Sequence, residues 1–325
     1  MTAQEYIIST LEELAQPVAM QDIGDTPIEE AILAKVMSKK FRKTKADQPA
    51  IDTAKEAIKL AVEAGEPVRL MLFFGGNKLW RFDEAPNIEW GELFSLVYYA
   101  RWAKSIASVY TPGAIFEYFS MDVCVERMNN VPHEQTDQYS DGFKKLLEWV
   151  KPYIPKGVSI KYTRYGDLYK NREEFYKEVD VAKEEWLKDN DGKLPELNDA
   201  KKIATELNVR LKPGQVQDPQ WREKAELEHR GLFGTKTGSA YMFSPALIPN
   251  CPTWYSGFIA TGSTKRSLAK FWVGVGALEH SGDDYNEIIL TPKQLEAAKF
   301  DWDDVTIPGL EGNNFSKVRV LKPRS

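Results

Sequence analysis

Only two cysteines, Cys124 and Cys251, occur in the 325 residues, and they stand far apart. That count excludes a disulfide scaffold and reads as two reduced thiols of a cytosolic protein. Histidine is equally scarce. His133, His229 and His280 are isolated, with no HxH or HExxH spacing, so no metal centre is expected. No window approaches the roughly 20 apolar residues that span a bilayer. The first stretch, MTAQEYIISTLEELAQ, is acidic and amphipathic, without the basic and apolar regions of a secretory signal. Basic runs are short: outside Lys39–Lys45 the lysines and arginines are scattered, and the net charge is −5. A nucleic-acid backbone binder needs a concentrated basic face, so none is expected. Repeats and low-complexity tracts are missing too. What remains is a cytoplasmic protein, not inserted in a membrane, that handles small molecules.

What the chain has is an ordinary globular composition, 42% hydrophobic and 28% charged, with an unusual share of aromatics: 12%, including nine Trp. Such rings pack cores and also suit a flat organic ligand. Residues 1–65 read as an N-terminal helical segment: Thr2–Ala15, Pro27–Lys40 and Ile51–Ala64 place apolar residues three and four apart. Gly65-Glu66-Pro67 stops the third. Val68–Phe74 (VRLMLFF), Ile115–Ser120 (IFEYFS) and Val158–Thr163 (VSIKYT) read as strands, separated by helices at Trp90–Ser108 and from Pro132 to Val150. Strand and helix in alternation predict an α/β fold, a mostly parallel sheet flanked by helices, over 66–325. From about 170 to 230 the chain turns charged and helical, either an insertion acting as a lid or an ordinary solvated face. Strands return at Ala240–Phe243, Tyr255–Ala260, Phe271–Leu278, Glu287–Leu290 and Lys317–Leu321. These are expected to rejoin the first sheet.

In open α/β sheets ligands bind beyond the carboxyl ends of the strands. The first exit is Gly75-Gly76-Asn77-Lys78. Its glycines let backbone approach a ligand, and Lys78 either meets an anion there or faces solvent from a tight turn. Ala260–Ser267 offers Ser263, Lys265 and Arg266, an inventory that suits phosphate or builds a polar hairpin. Lys78, Lys265 and Arg266 are expected to face one cavity. Glu117 lies mid-strand among aromatics, where desolvation is expected to raise its pKa. It is either a general acid/base, or holder of a substrate amine, or a fixed ion pair with Arg101 or Arg164. Asp122, at the end of the same strand, is its auxiliary carboxylate. There is no Walker A spacing and no G-x-S-x-G elbow. Gly274-Val275-Gly276 is no dinucleotide fingerprint, because Glu279 takes the third glycine position.

From Phe73 to Val150 the order FFGGNK, a helix, VYTPGAIFEYFSMD and another helix resembles the isocyanide synthases of the pyoverdine/dityrosine biosynthesis family. Tyr110-Thr111-Pro112-Gly113-Ala114 matches that family's middle element, and Ser120-Met121-Asp122 matches in part its strand ending in Ser-Asp-Gly. Pro252-Thr253-Trp254-Tyr255-Ser256 is similar to its Thr-Pro-Trp-His segment, with Tyr255 in place of the His. The resemblance implies a Rossmann-like fold and replacement of an amino acid's amine by an isonitrile, with a pentulose phosphate as carbon donor and no bound cofactor. The phosphate would suit Lys78 and Lys265/Arg266, and the aromatic interior Trp or Tyr as substrate. Two other classes stay open: a Rossmann-like transferase on an aminoacyl or nucleotide substrate, and a non-catalytic small-molecule binder.

Overall fold

The computed structural model describes residues 1–41, 46, 48–74, 78–79, 87–197, 220–242, 257–261, 274–290, 302–307 and 315–322. Three helices come first, α1 (Ala3–Ala15), α2 (Ile28–Val36) and α3 (Gln48–Ala64). Thr2 caps α1 reciprocally with Glu5, so the helix starts where the capping pattern places it. The α2 helix is shorter than its periodicity suggests.

The next elements alternate: β1 (Val68–Phe74), α4 (Trp90–Ala107), β2 (Ala114–Ser120), α5 (Cys124–Met128), α6 (His133–Val150) and β3 (Val158–Arg164). β1 pairs with β2 and β2 with β3, in parallel and over their full lengths. β4 (Ile259–Ala260) joins β1 on its other side, so the sheet order is β3-β2-β1-β4. The parallel sheet flanked by helices that the alternation predicts is the fold.

Side-chain alternation divides the sheet between two apolar bodies. Leu70, Leu72, Phe74, Phe116 and Tyr118 face α4 and α6, in a core that also takes Ile7 and Leu11 of α1, Ile32 of α2 and Ile58 of α3. Met71 and Phe119 face the other way. There they meet Phe175 and Val179 of α7 (Arg172–Asp189) and Leu232 of α8 (Trp221–Gly234). The charged 170–230 region therefore carries an apolar stripe that covers one face of the sheet. A short α9 (Lys236–Met242) follows α8; the strand expected at Ala240–Phe243 is this helix over its described part.

The final strands do not rejoin the first sheet. Apart from β4 they build a second one, β5 (Val275–Ser281), β6 (Asp284–Leu290), β7 (Trp302–Thr306) and β8 (Lys317–Leu321), in the order β6-β5-β8-β7. The physical reason is local. Gly282-Asp283 links β5 to β6 as an antiparallel hairpin, which satisfies both strands at once, whereas a parallel partner needs a long crossover. β7 was not legible in advance, because its sequence WDDVT buries little.

The Tyr110–Ala114 segment sits at the amino end of β2, opposite the strand exits. The Tyr110 hydroxyl donates to the carbonyls of Ala61 and Glu66. Gly113 has φ 79°, and a Cβ there would lie 1.9 Å from the Gly157 carbonyl oxygen. The segment positions the strand. Gly113→Ala is expected to cost about 3 kcal/mol, through strain and a backbone clash together. Chemical denaturation checks this, and a cost below 1 kcal/mol would show that the turn can move.

Candidate functional site

Glu117 is fully buried on the sheet face covered by α7 and α9. Its partner is neither Arg101 nor Arg164 but Arg69 of β1. The Arg69 guanidinium meets the carboxylate through Nε at 2.8 Å and Nη2 at 2.7 Å. Thr163 Oγ1 donates at 2.6 Å, the Tyr241 hydroxyl of α9 donates as well, and Lys161 Nζ lies 3.7 Å away. Burial pushes the Glu117 pKa up, but Arg69 and the two hydroxyls outweigh it and hold the carboxyl below its ordinary range. The expected raised acid is thus an ionised carboxylate. Tyr241 stacks on Phe119 at 5.5 Å between ring centroids, and the Arg69 and Lys161 cations each lie 5.3 Å from its ring.

Asp122 is buried too, but it turns to the other face. Its Oδ2 lies 2.9 Å from Arg164 Nε, and the Val123 amide donates to Oδ1 at 3.0 Å. Burial pushes the carboxyl up to about 6, against the pull of Arg164. Arg164 Nη1 continues to Asp137 of α6 at 2.7 Å, and Arg172 of α7 joins Asp137 (2.8 Å) to Glu126 of α5 (2.7 Å). Glu117 and Asp122, expected to work as a pair, share no partner among the described residues.

Lys78 also departs from expectation. It is fully buried, and its ammonium donates to Glu89 at 3.0 Å and to Glu92 at 2.8 Å. Its charge is already compensated, so an anion would have to displace a carboxylate. Glu92 also accepts from the Tyr139 hydroxyl at 3.2 Å, and Glu89 from the Gly276 amide at 3.0 Å. A Cβ on Gly276 would stand 2.4 Å from the Gly91 nitrogen. The Gly274-Val275-Gly276 run therefore serves a close approach of β5 to the start of α4. Burial, with the neighbouring Glu89 charge, pushes Glu92 up to about 7 despite Lys78. A carboxyl raised on folding loses stability as pH climbs from its ordinary value towards 7. Lys78→Met leaves two carboxylates buried without a cation, at about 3–5 kcal/mol. The cost should be larger at pH 8 than at pH 5, where protons can replace the ammonium. Urea unfolding at both pH values measures it, and an equal cost would argue against the charge account.

The remaining candidates, Gly75, Gly76, Asn77, Tyr255, Ser263, Lys265 and Arg266, lie outside the described residues. Arg69, Thr163 and Tyr241 were missed. Arg69 was findable: a cation inside the apolar run VRLMLFF raises the same question as Glu117 in IFEYFS. Tyr241 was not, because only the tertiary fold brings it to β2.

This chain is similar in fold to PvcA from Pseudomonas aeruginosa. The likeness has a TM-score of 0.55, covers 91% of this chain and all of PvcA, and carries 12% sequence identity. At that identity the likeness to PvcA is one of fold. No protein-family model and no curated protein matches the sequence. Among the described residues no group of His, Cys, Asp or Glu could hold a metal ion, and no helix is long and apolar enough to cross a membrane.

Proposed function

We propose that this protein is a biosynthetic enzyme of the isocyanide-synthase type, acting on an amino acid with a phosphosugar as the second substrate. One observation carries the reading. In a fold like that of PvcA, and with the Phe73–Val150 resemblance to the isocyanide synthases, β2 and its carboxyl-end exit bear two buried carboxylates of opposite character. Glu117, held ionised and already paired with Arg69, would take a substrate ammonium only in place of the half-exposed Lys161, which stands 3.7 Å away. Asp122, held near 6 at a strand exit, is the group for proton transfer near neutrality. Because the two flank opposite faces of β2, they serve different parts of a two-substrate complex. Phosphate would fall to Lys265 and Arg266, with Ser263, Gly75, Gly76 and Asn77, rather than to Lys78, whose charge is spent. Tyr255, where the family has His, is the residue to examine for altered chemistry.

The test is direct. Purified protein is incubated with Trp or Tyr and a pentulose phosphate, one of them isotopically labelled, and the product is followed by mass spectrometry and by its isonitrile infrared band. Labelled isonitrile supports the proposal. Turnover that requires ATP or tRNA instead would move the protein to the transferases, and tight binding without turnover would make it a binding protein.

A further inference from the structure

Asp122, fully buried at the exit of β2, ends a chain of alternating charges that crosses β3, α6, α7 and α5. Arg164 of β3 stands between Asp122 and Asp137 of α6. Arg172, the first residue of α7, stands between Asp137 and Glu126 of α5. The Arg164 guanidinium is shared unequally. Its Nη1 donates a hydrogen bond to Asp137 Oδ1 at 2.7 Å. Its Nε comes within 2.9 Å of Asp122 Oδ2 but without the alignment of a hydrogen bond. Its buried Nη2 has no hydrogen-bond partner among the described residues. Arg172 Nη2 reaches the same Asp137 oxygen at 2.8 Å, while its Nε and Nη2 fork onto Glu126. Asp137 Oδ1 thus gathers both cations.

Arg164 is the charge that counts for Asp122. The other titratable groups facing it among the described residues are Tyr162 of β3, Cys124 of α5 and Tyr139 of α6. Burial pushes all three up, so they stay neutral. The Ser120 hydroxyl and the Val123 amide complete the surroundings. We propose that Asp137 and Arg172 are positioning residues for Asp122, acting through Arg164. Asp137 holds the guanidinium out of line with the Asp122 carboxylate, and Arg172 limits how hard Asp137 pulls. Asp122 therefore keeps a cation beside it without a fork of aligned hydrogen bonds, and its burial is compensated only in part. Because Arg172 opens α7, the acidity of Asp122 depends on where that helix lies. The catalytic consequence rests on the reading of Asp122 as the proton-transfer group; the electrostatic one does not.

The test is the titration of the Asp122 carboxyl in the full chain, followed by carbon-13 NMR of protein labelled at the aspartate carboxyls. The Asp122 signal is assigned by its loss in Asp122→Asn. Asp137→Asn frees Arg164 to turn onto Asp122, and the midpoint should fall by about one pH unit. Arg172→Gln leaves Asp137 to draw Arg164 away, and the midpoint should rise by about half a pH unit. In the Asp137→Asn background Arg172→Gln should no longer move it, because the relay is cut. Should Arg172→Gln fail to fold, Arg172→Lys, which keeps the charge but not the fork, should give a smaller rise. A midpoint unmoved by Asp137→Asn, shifts of the same sign, or an Arg172 effect equal in both backgrounds would each overturn the inference. With turnover established, the acidic limb of kcat/KM should follow the NMR midpoint in each variant. A midpoint that moves while the limb stays upholds the relay and removes Asp122 from the chemistry instead.

Discussion

Asp122→Asn is expected to lower kcat/KM for the amino acid by about 10²–10⁴-fold, the typical worth of a positioned acid or base. The substitution keeps the shape and leaves Arg164 paired with Asp137 at 2.7 Å. Burial holds the Asp122 carboxyl up to about 6. A base works when ionised, so the activity of the unaltered protein should rise with pH through about 6, and the Asn variant should lose that limb. Stability runs the other way. A carboxyl whose folded pKa exceeds its ordinary 3.8 penalises the fold once it ionises. This contribution declines as pH rises from about 4 to about 6, by about 3 kcal/mol at most. The variant should lose that share of the pH dependence across the window. Rate profiles and urea unfolding over pH 4–8 measure both. Full turnover in a variant with altered stability would leave Asp122 a structural group only.

Glu117→Gln should behave differently. Its carboxylate is ionised and holds Arg69, Thr163 and Tyr241. Removing the charge leaves the Arg69 guanidinium facing an amide in a largely buried site, at about 3 kcal/mol of stability. Since the folded pKa is depressed, the stabilisation is present above the ordinary carboxylate range and lost as pH falls through the lower folded value. The variant should therefore differ most from the parent at neutral pH and converge with it in acid. If Glu117 also holds the substrate ammonium, a charge-assisted contact worth about 1.5–3 kcal/mol disappears, and kcat/KM falls about ten- to a hundredfold through KM. A purely structural Glu117 predicts the stability loss with KM unchanged per folded molecule. The two outcomes are separable in one set of measurements.

The elements of the first sheet were legible because their signals are local. VRLMLFF, IFEYFS and VSIKYT are short apolar runs with helical periodicity between them, and the right-handed crossover rule leaves few other arrangements. Local patterning was weaker towards the carboxyl end, where a hairpin drew β5 and β6 into a sheet of their own. At the site the sequence showed where buried charge had to be explained, but not the sign of the answer. Glu117 mid-strand demands a partner. Whether its pKa rises or falls depends on which cation arrives, and the register alone brings Arg69 from β1 to it rather than Arg101 or Arg164.

By itself the sequence determined the alternating α/β order, the parallel pairing of its first strands and the presence of charge within apolar strands, since each follows from the period of the side chains along the chain. Only the tertiary structure decided that Glu117 stays ionised, that Asp122 is the raised carboxyl, and that Lys78 is spent on Glu89 and Glu92. Those outcomes turn on desolvation set against neighbours within 3 Å or so, and such neighbours come from residues far apart in the chain.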